Sequence, residues 1–371
     1  MRICFGKKFI LFFLTLITFS LLPSATAATP VVRIVDVPHT NYDGTFRDND
    51  LALSLTPGGK LGRAVFESDM TTTWVIDAAL LDEIIDMSDG YLYKGVEDPV
   101  GASVALIWLQ QLRIATVGNP IVALPYGNPD ASLARSLNST ELKFYSELGR
   151  TKLEAFFGRA VISQNGWGAG KSRLSSDFQR LYKSEANLLR SYTQVLDVAE
   201  INDLRARLGR VLNPLLNEKD RAYFAYQGRD AVAVVAKKLR VVSGRFQLTS
   251  DRVKVPLTLV NNFDTATTVS LSLIPMNSRV QVENVNNITI PPRSRIQISV
   301  PFDVIASGST LVNAQFMTPQ GNRVGEVSRL NLSLTVIDSR VAYFTTGAAI
   351  VLFLAAITQS VRRIRRSRRE K

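Results

Sequence analysis

One cysteine and one histidine are all that this chain of 371 residues offers of the soft metal ligands. Cys4 lies ahead of an apolar run at the start of the chain, so the chain beyond it can form no internal disulfide. An exported body without disulfides fits a bacterial envelope better than a eukaryotic surface. The common zinc sites draw most of their ligands from Cys and His, and a cysteine nucleophile needs a cysteine in the folded body, so both are excluded. A deacetylase centre of one Asp and two His cannot be assembled either. A Ser-His-Asp triad has only His39 to recruit, and there is no G-x-S-x-G elbow. S-x-x-K pairs, internal repeats and long low-complexity linkers are missing too. We expect no metal and no cofactor.

Charge of one sign is scarce where a nucleic-acid binder would need it. The net charge is +12, but the excess sits at the two ends, in Arg2, Lys7 and Lys8 and in the run that begins at Arg362. The remainder is close to neutral, which gives no phosphate-binding surface and excludes nucleic acid as a partner.

The two ends carry the topology. Arg2, Lys7 and Lys8, the apolar residues 9–22 and the small residues Ala25-Thr26-Ala27 have the pattern of a secretory signal peptide. Residues 341–358 are apolar enough, at about 1.5 Å per residue, to nearly cross a hydrocarbon core of about 30 Å. Arg362, Arg363, Arg365 and Arg366 flank that stretch, and positive residues stay in the cytoplasm. The expected protein is a single-pass cell-membrane protein with its body outside, its C-terminus cytoplasmic and membrane lipid as a partner.

Between the ends the apolar period changes twice. Short β-branched runs, Val31-Val32-Arg33-Ile34-Val35, Thr72-Thr73-Trp74-Val75-Ile76 and Ile121-Val122-Ala123-Leu124, alternate with helical stretches at 51–66, 77–87 and 102–113, which predicts parallel strands in an α/β layer. From Ser139 the spacing is helical, with Leu174, Phe178, Leu181, Leu188, Tyr192 and Val195 at helical steps and breaks at Gly209 and Pro214. From Leu239 the period is two, in Val255-x-Leu257-x-Leu259, Val269-x-Leu271-x-Leu273 and Leu330-x-Leu332-x-Leu334-x-Val336. About seven or eight strands over roughly 100 residues predict an immunoglobulin-like antiparallel β-sandwich. The fold class is multi-domain α+β: signal peptide 1–27, a partly barrel-like α/β domain 28–138, a helical region 139–238, a β-sandwich 239–338, a transmembrane helix 341–358 and a basic tail 359–371.

Leu55-Thr56-Pro57-Gly58-Gly59-Lys60-Leu61, Thr73-Trp74-Val75-Ile76-Asp77-Ala78-Ala79, Val122-Ala123-Leu124-Pro125-Tyr126-Gly127-Asn128-Pro129-Asp130, Val255-Pro256-Leu257-Thr258-Leu259-Val260-Asn261-Asn262 and Thr318-Pro319-Gln320-Gly321 together resemble an uncharacterised actinobacterial family of secreted, single-span envelope proteins. The resemblance implies a sugar-deacetylase-like α/β part joined to a membrane-proximal β-sandwich, and genes often beside that of a lipid II flippase-like protein. It makes this chain a shortened member, and implies an envelope or cell-wall biosynthesis membrane protein as partner.

Three groups of residues invite a functional reading. Gly166-Trp167-Gly168-Ala169-Gly170-Lys171-Ser172 imitates a phosphate-cradling loop, but Asn165 stands where the first glycine belongs, and the segment reads instead as a connection into a helix beginning near Ser172. Asp77 and Asp130 each follow a strand and precede a helix. Two carboxylates at strand ends can act as general acid and base on a glycan. The same positions suit helix caps, with Asn128-Pro129-Asp130 as N-cap, N1 and N2. Among Trp74, Trp108, Trp167, Tyr91 and Tyr126, the first two read as core, and Tyr126 reads as an exposed, ligand-binding platform for a sugar. The leading reading is a non-catalytic, membrane-anchored extracytoplasmic scaffold or accessory protein linked to cell-wall precursor handling. The alternative is a carboxylate-dependent glycan-active enzyme using Asp77 and Asp130.

Overall fold

The computed structural model describes residues 29–163, 166–168, 170–335 and 339–367, without the side chains of 339–345 and 363–367. The expected signal peptide lies outside the described residues, as do the side chains of Arg363, Arg365 and Arg366.

Three short strands, β1 (Val31–Ile34), β2 (Thr73–Ile76) and β5 (Ile121–Ala123), form a parallel sheet in the order β1-β2-β5. Val32 lies beside Trp74, and Trp74 beside Ile121. Parallel strands are covered on both faces and therefore read as unbroken apolar runs. Trp74, Ile76, Ile121 and Ala123 face one apolar cluster, while Val75, Val122 and Leu124 face a smaller one that Trp167 covers. Trp74 and Trp108 are fully buried, as expected.

The stretch predicted as one helix over 51–66 is two, α1 (Asp50–Leu55) and α2 (Lys60–Phe66). Pro57-Gly58-Gly59 breaks it, because the proline at 57 cannot continue the hydrogen-bond ladder. Then come α3 (Ala78–Ser88), a small hairpin of β3 (Leu92–Tyr93) and β4 (Val96–Glu97), and α4 (Pro99–Ala115). Asp98 caps α4 by accepting from Gly101, and Pro99 takes the first helical position, where its missing N–H does no harm.

After β5 the chain is helical: α5 (Ala131–Leu137), α6 (Ser139–Phe157), α7 (Ser176–Tyr192), α8 (Ala199–Leu208), a 3-10 turn (Gly209–Leu212) and α9 (Glu218–Ala236). Asn138 ends α5 and caps α6, and Gly158 closes α6 in the left-handed region. Helix α7 begins at Ser176 behind its cap Ser175, a turn later than the sequence indicated. Its fully buried stripe is Tyr182, Ala186, Leu189 and Tyr192. Phe178 and Leu181 are half-buried against a separate small cluster around Phe224.

Nine strands follow. One sheet has the order β10-β12-β8-β6, from β6 (Leu239–Val241), β8 (Arg252–Asn261), β10 (Val280–Val282) and β12 (Ser294–Val304). The other has the order β11-β9-β13-β14-β7, from β7 (Gly244–Leu248), β9 (Thr267–Pro275), β11 (Val285–Ile290), β13 (Gly308–Met317) and β14 (Arg323–Leu334). The alternating positions read from the sequence, Leu257, Leu259, Leu271, Leu330 and Leu332, point inward. The sandwich is not wholly antiparallel: β7 runs parallel to β14, with Gly244 beside Leu330. Opposite the register shift between Ala314 and Phe316, Gly325 adopts φ 77°, and an added Cβ there would sit 2.3 Å from the Leu239 carbonyl. Buried Gln315 donates to the Val324 carbonyl at 2.7 Å in that irregular stretch.

The change from helix to strand near residue 238 is not a division of the core. Tyr182, Leu189, Tyr192 and Val235 belong to the same apolar cluster as Val241, Leu257, Val324 and Leu330. Tyr192 stacks edge-on against Phe263 at 5.7 Å. Gln194 accepts from Thr318 and Asn322 at 2.8 and 3.0 Å. The helical layer and the sandwich are thus joined by apolar packing and by hydrogen bonds.

The last helix, α10, spans Ser339–Ser367. Among the described residues no helix is long and apolar enough to cross a membrane. The expected span, 341–358, starts among residues whose side chains are not described.

Candidate functional site

In open α/β sheets the carboxyl ends of the strands are where ligands bind, and here those ends carry a cluster of charged groups. Asp77 follows β2 directly. Its Oδ1 accepts from the Ala79 amide at 3.0 Å, capping α3, and from the Gly127 amide at 2.9 Å. Gly127, at φ 80°, turns the chain after β5 tightly enough for its amide to reach Asp77, and a Cβ there would lie 3.3 Å from Arg210 Cγ. Burial pushes the Asp77 carboxyl up to about 7, against the two amides and the Arg210 charge.

Asp130 is itself the cap of α5, so the expected assignment of Asn128 as N-cap is corrected. Its Oδ1 accepts from Ser132 and Leu133 at 2.9 and 3.2 Å, and Oδ2 accepts from the Ser172 amide at 2.8 Å. Among the described residues the two carboxyls share no hydrogen-bond partner. Each has at least one oxygen aimed at helix amides, as a cap requires.

Tyr126 is also corrected. It is buried, at 7% exposure, and its hydroxyl donates to Asp82 at 3.0 Å. Pro125 and Gly127 turn the chain here, but Arg210 and α6 pack over the turn: the Tyr126 amide donates to the Tyr145 carbonyl, and Gly149 leaves its missing Cβ only 2.3 Å from the Leu124 carbonyl. Tyr91 is buried too, hydrogen bonded to Asn49 and Asp98. Trp167 lies against the outer face of the sheet.

The centre of the cluster is an ion pair that the sequence reading did not single out. Glu83, on α3, faces Arg210, in the 3-10 turn, at 3.1 Å, and both side chains are 4% exposed. Glu83 also accepts from the His39 and Thr40 amides at 3.0 and 3.3 Å and from the Thr40 hydroxyl at 2.6 Å. Arg210 donates to the Thr40 hydroxyl at 2.9 Å, and its Nε has no partner among the described residues. His39 Nδ1 meets Asp48 at 2.7 Å. Burial disfavours the His39 imidazolium, but the Asp48 hydrogen bond and the charges of Glu83, Asp48 and Asp36 outweigh it and raise its pKa. Residues 36–48, α3 and the 3-10 turn meet only in the fold, so no local pattern announces this pairing.

What the arrangement can do is limited by space. Asp36, Asp77, Glu83, Gly127, Arg210 and Asn213 line a cavity of about 10 Å³. That is room for about one water, far short of a sugar. Among the described residues no group of three or more His, Cys, Asp or Glu is placed to hold a metal.

The Asp77 carboxyl gives a pH prediction. Its folded pKa lies above the ordinary 3.8, so the folded state keeps a proton that the unfolded state loses, and stability falls as pH rises from about 4 to about 7. Asp77→Asn keeps the oxygen that accepts from Ala79 and Gly127 and removes the charge. In urea unfolding between pH 4.5 and 8 the variant is expected to show a shallower decline than the parent and a higher midpoint at pH 8. Equal slopes would mean that Asp77 does not titrate in the fold.

Comparison with known proteins defines the class. A family of unknown function, DUF6049, matches residues 149–369, more than half of the chain, and the protein belongs to that family. The match takes in the end of α6, the remaining helices, the sandwich and α10. No curated protein matches significantly. Solved structures with similar features include the C. elegans MSP family member WR4, with 9% identity, covering 27% of this chain and 99% of that one at a TM-score of 0.21. A CARDB domain from Pyrococcus furiosus has 10% identity, covering 26% and 94% at 0.21. The PapD-like domain 7 of human CEP192 has 10% identity, covering 28% and 88% at 0.21.

Proposed function

We propose that this protein is a membrane-anchored scaffold or accessory factor of the bacterial cell envelope, non-catalytic, with its body outside the membrane, linked to cell-wall precursor handling. The observation that carries the reading is α10. Ile350, Val351, Leu352, Phe353 and Leu354 are all 55–70% exposed, and five consecutive residues look out in every direction around a helix. A stretch of helix that is apolar on every side favours an apolar surrounding, and the run of arginines from Arg362 follows it. The strand-end cluster supports the non-catalytic part, since its carboxylates are occupied by amides and ion pairs around a space for one water. The shared core of helices and sandwich would hold a binding surface at a set height above the bilayer.

The glycan-active reading has one observation in its favour. A carboxyl at about 7, as burial gives Asp77, suits a general acid. It has neither a second carboxylate in the cavity positioned without an amide or cation partner nor room for a ring.

The test uses the full chain expressed in an actinobacterial host, treated with protease as intact cells, as spheroplasts and after lysis. The body is expected to be cleaved from outside, and the full chain to retain an envelope membrane protein or lipid-linked precursor in detergent that a chain ending before residue 339 does not. A body protected until lysis would overturn the topology. Retention of neither would overturn the scaffold role.

A further inference from the structure

A second, roomier cleft lies away from the strand ends. Between the segment entering α7 and the turn entering α9 is an open space of about 560 Å³, within the range of small-molecule sites. Lys171, Arg173 and Arg221 line it, with Glu218 the only carboxylate among its lining residues. Lys171 and Arg173 are exposed and form no ion pair among the described residues. Lys171 is held at the mouth by its neighbour, since Ser172 donates its amide to Asp130 and its hydroxyl to the Leu212 carbonyl at 2.6 Å.

Arg221 is the informative residue. It is 6% exposed, yet its guanidinium donates to the carbonyls of Val211, Asn213 and Leu216, at 2.5, 3.2 and 2.9 Å, and pairs with no carboxylate among the described residues. A buried cation held by neutral dipoles alone keeps its full charge, and a protein normally pairs such a charge. Burial depresses its pKa, as expected where no anion offsets the lost hydration. The amino ends of α7 and α9 open beside it, each side-chain capped and carrying acid in its first turn, Asp177 in α7 and Glu218 and Asp220 in α9, so the cleft's positive charge comes from its side chains. Apart from Ser175 and Glu218 the rest of the wall is apolar: Leu174, Phe178 and Leu216 belong to the small cluster around Phe224. The Ser172 hydroxyl is committed to a carbonyl, so this is not a glycine-loop nucleotide site, and its cations are side chains.

We propose that the cleft binds a phosphorylated, partly apolar ligand, with the phosphoryl group at Lys171 and Arg173, the Arg221 charge in the wall behind them, and the organic body against Phe178 and Leu216. Such a ligand can be a soluble organic phosphate or a phospholipid headgroup. The site goes beyond the scaffold role and does not depend on anchoring, so its failure leaves that reading intact.

The test is isothermal titration of the detergent-solubilised full chain with 1-naphthyl phosphate and, separately, with dihexanoyl phosphatidic acid below its micelle concentration. Lys171→Ala/Arg173→Ala removes two exposed cations without touching the core, and its melting curve is expected to match the parent's. At least one probe is expected to bind saturably, about 10-fold or more weaker to the double variant, as loss of charge-assisted contacts implies. Tighter binding of the lipid identifies a headgroup ligand, and tighter binding of naphthyl phosphate a soluble one. If neither probe saturates, or if the folded double variant binds as the parent does, the proposal is wrong.

Discussion

Arg210→Met is expected to destabilise the fold by about 3–5 kcal/mol, the usual loss when one member of a buried ion pair is removed. The reason is what remains behind. Glu83 is almost fully buried and would be left without a cation, with the His39 and Thr40 groups as its remaining partners. The Thr40 hydroxyl would in turn lose the Arg210 donor. Methionine retains most of the arginine's stem, so the loss reports charge and hydrogen bonding more than volume. In a chain of this size the melting temperature is expected to fall by roughly 10 °C. The double variant Glu83→Gln/Arg210→Met is expected to recover a large part of this, because a neutral amide can still accept from the Thr40 hydroxyl and needs no cation. Thermal unfolding followed by circular dichroism decides the matter. A double variant no more stable than Arg210→Met would show that the arginine acts through packing and not through Glu83.

This pair also shows where reading the sequence stops. Asp77 was legible as a cap because a cap is a local pattern, an acidic residue followed at once by a helix, and its carboxyl accepts from the Ala79 amide; at the second site the helix start was legible, but the residue that caps it is Asp130 and not Asn128. The sandwich was legible because alternation at Leu257, Leu259, Leu271 and Leu332 is imposed by strand geometry itself. Glu83 and Arg210 look on paper like ordinary surface charges. Their pairing depends on residues 39–40, α3 and the 3-10 turn converging, and no periodicity encodes that convergence. Tyr126 failed for a related reason: its flanking Pro and Gly predicted a turn, but not that Arg210 and α6 would pack over it. The parallel β7–β14 pairing and the core shared by α7, α9 and the sandwich were hidden in the same way. Alternation gives which face of a strand is buried and not what buries it.

A second buried pair, between Glu141 on α6 and Arg205 on α8, is expected to be equally sensitive. Arg205 donates from Nε and Nη2 to the two Glu141 oxygens at 2.6 and 2.9 Å, a two-pronged geometry that lysine cannot reproduce. Glu141 is fully buried and Arg205 is 8% exposed, with its guanidinium 4.0 Å from the centre of the Phe144 ring. The pair ties a helix that packs on the parallel sheet to one that packs with the sandwich-facing helices, so it couples the two halves of the molecule. Arg205→Ala is expected to cost about 3–5 kcal/mol, and Arg205→Lys to recover only part of that, since a single ammonium satisfies one oxygen well and loses the stacking on Phe144. Hydrogen exchange distinguishes local from global effects. If the pair couples the halves, amides of β5 and α6 and those of α7 lose protection together in Arg205→Ala, whereas loss confined to α6 and α8 would show that the two halves hold together without it.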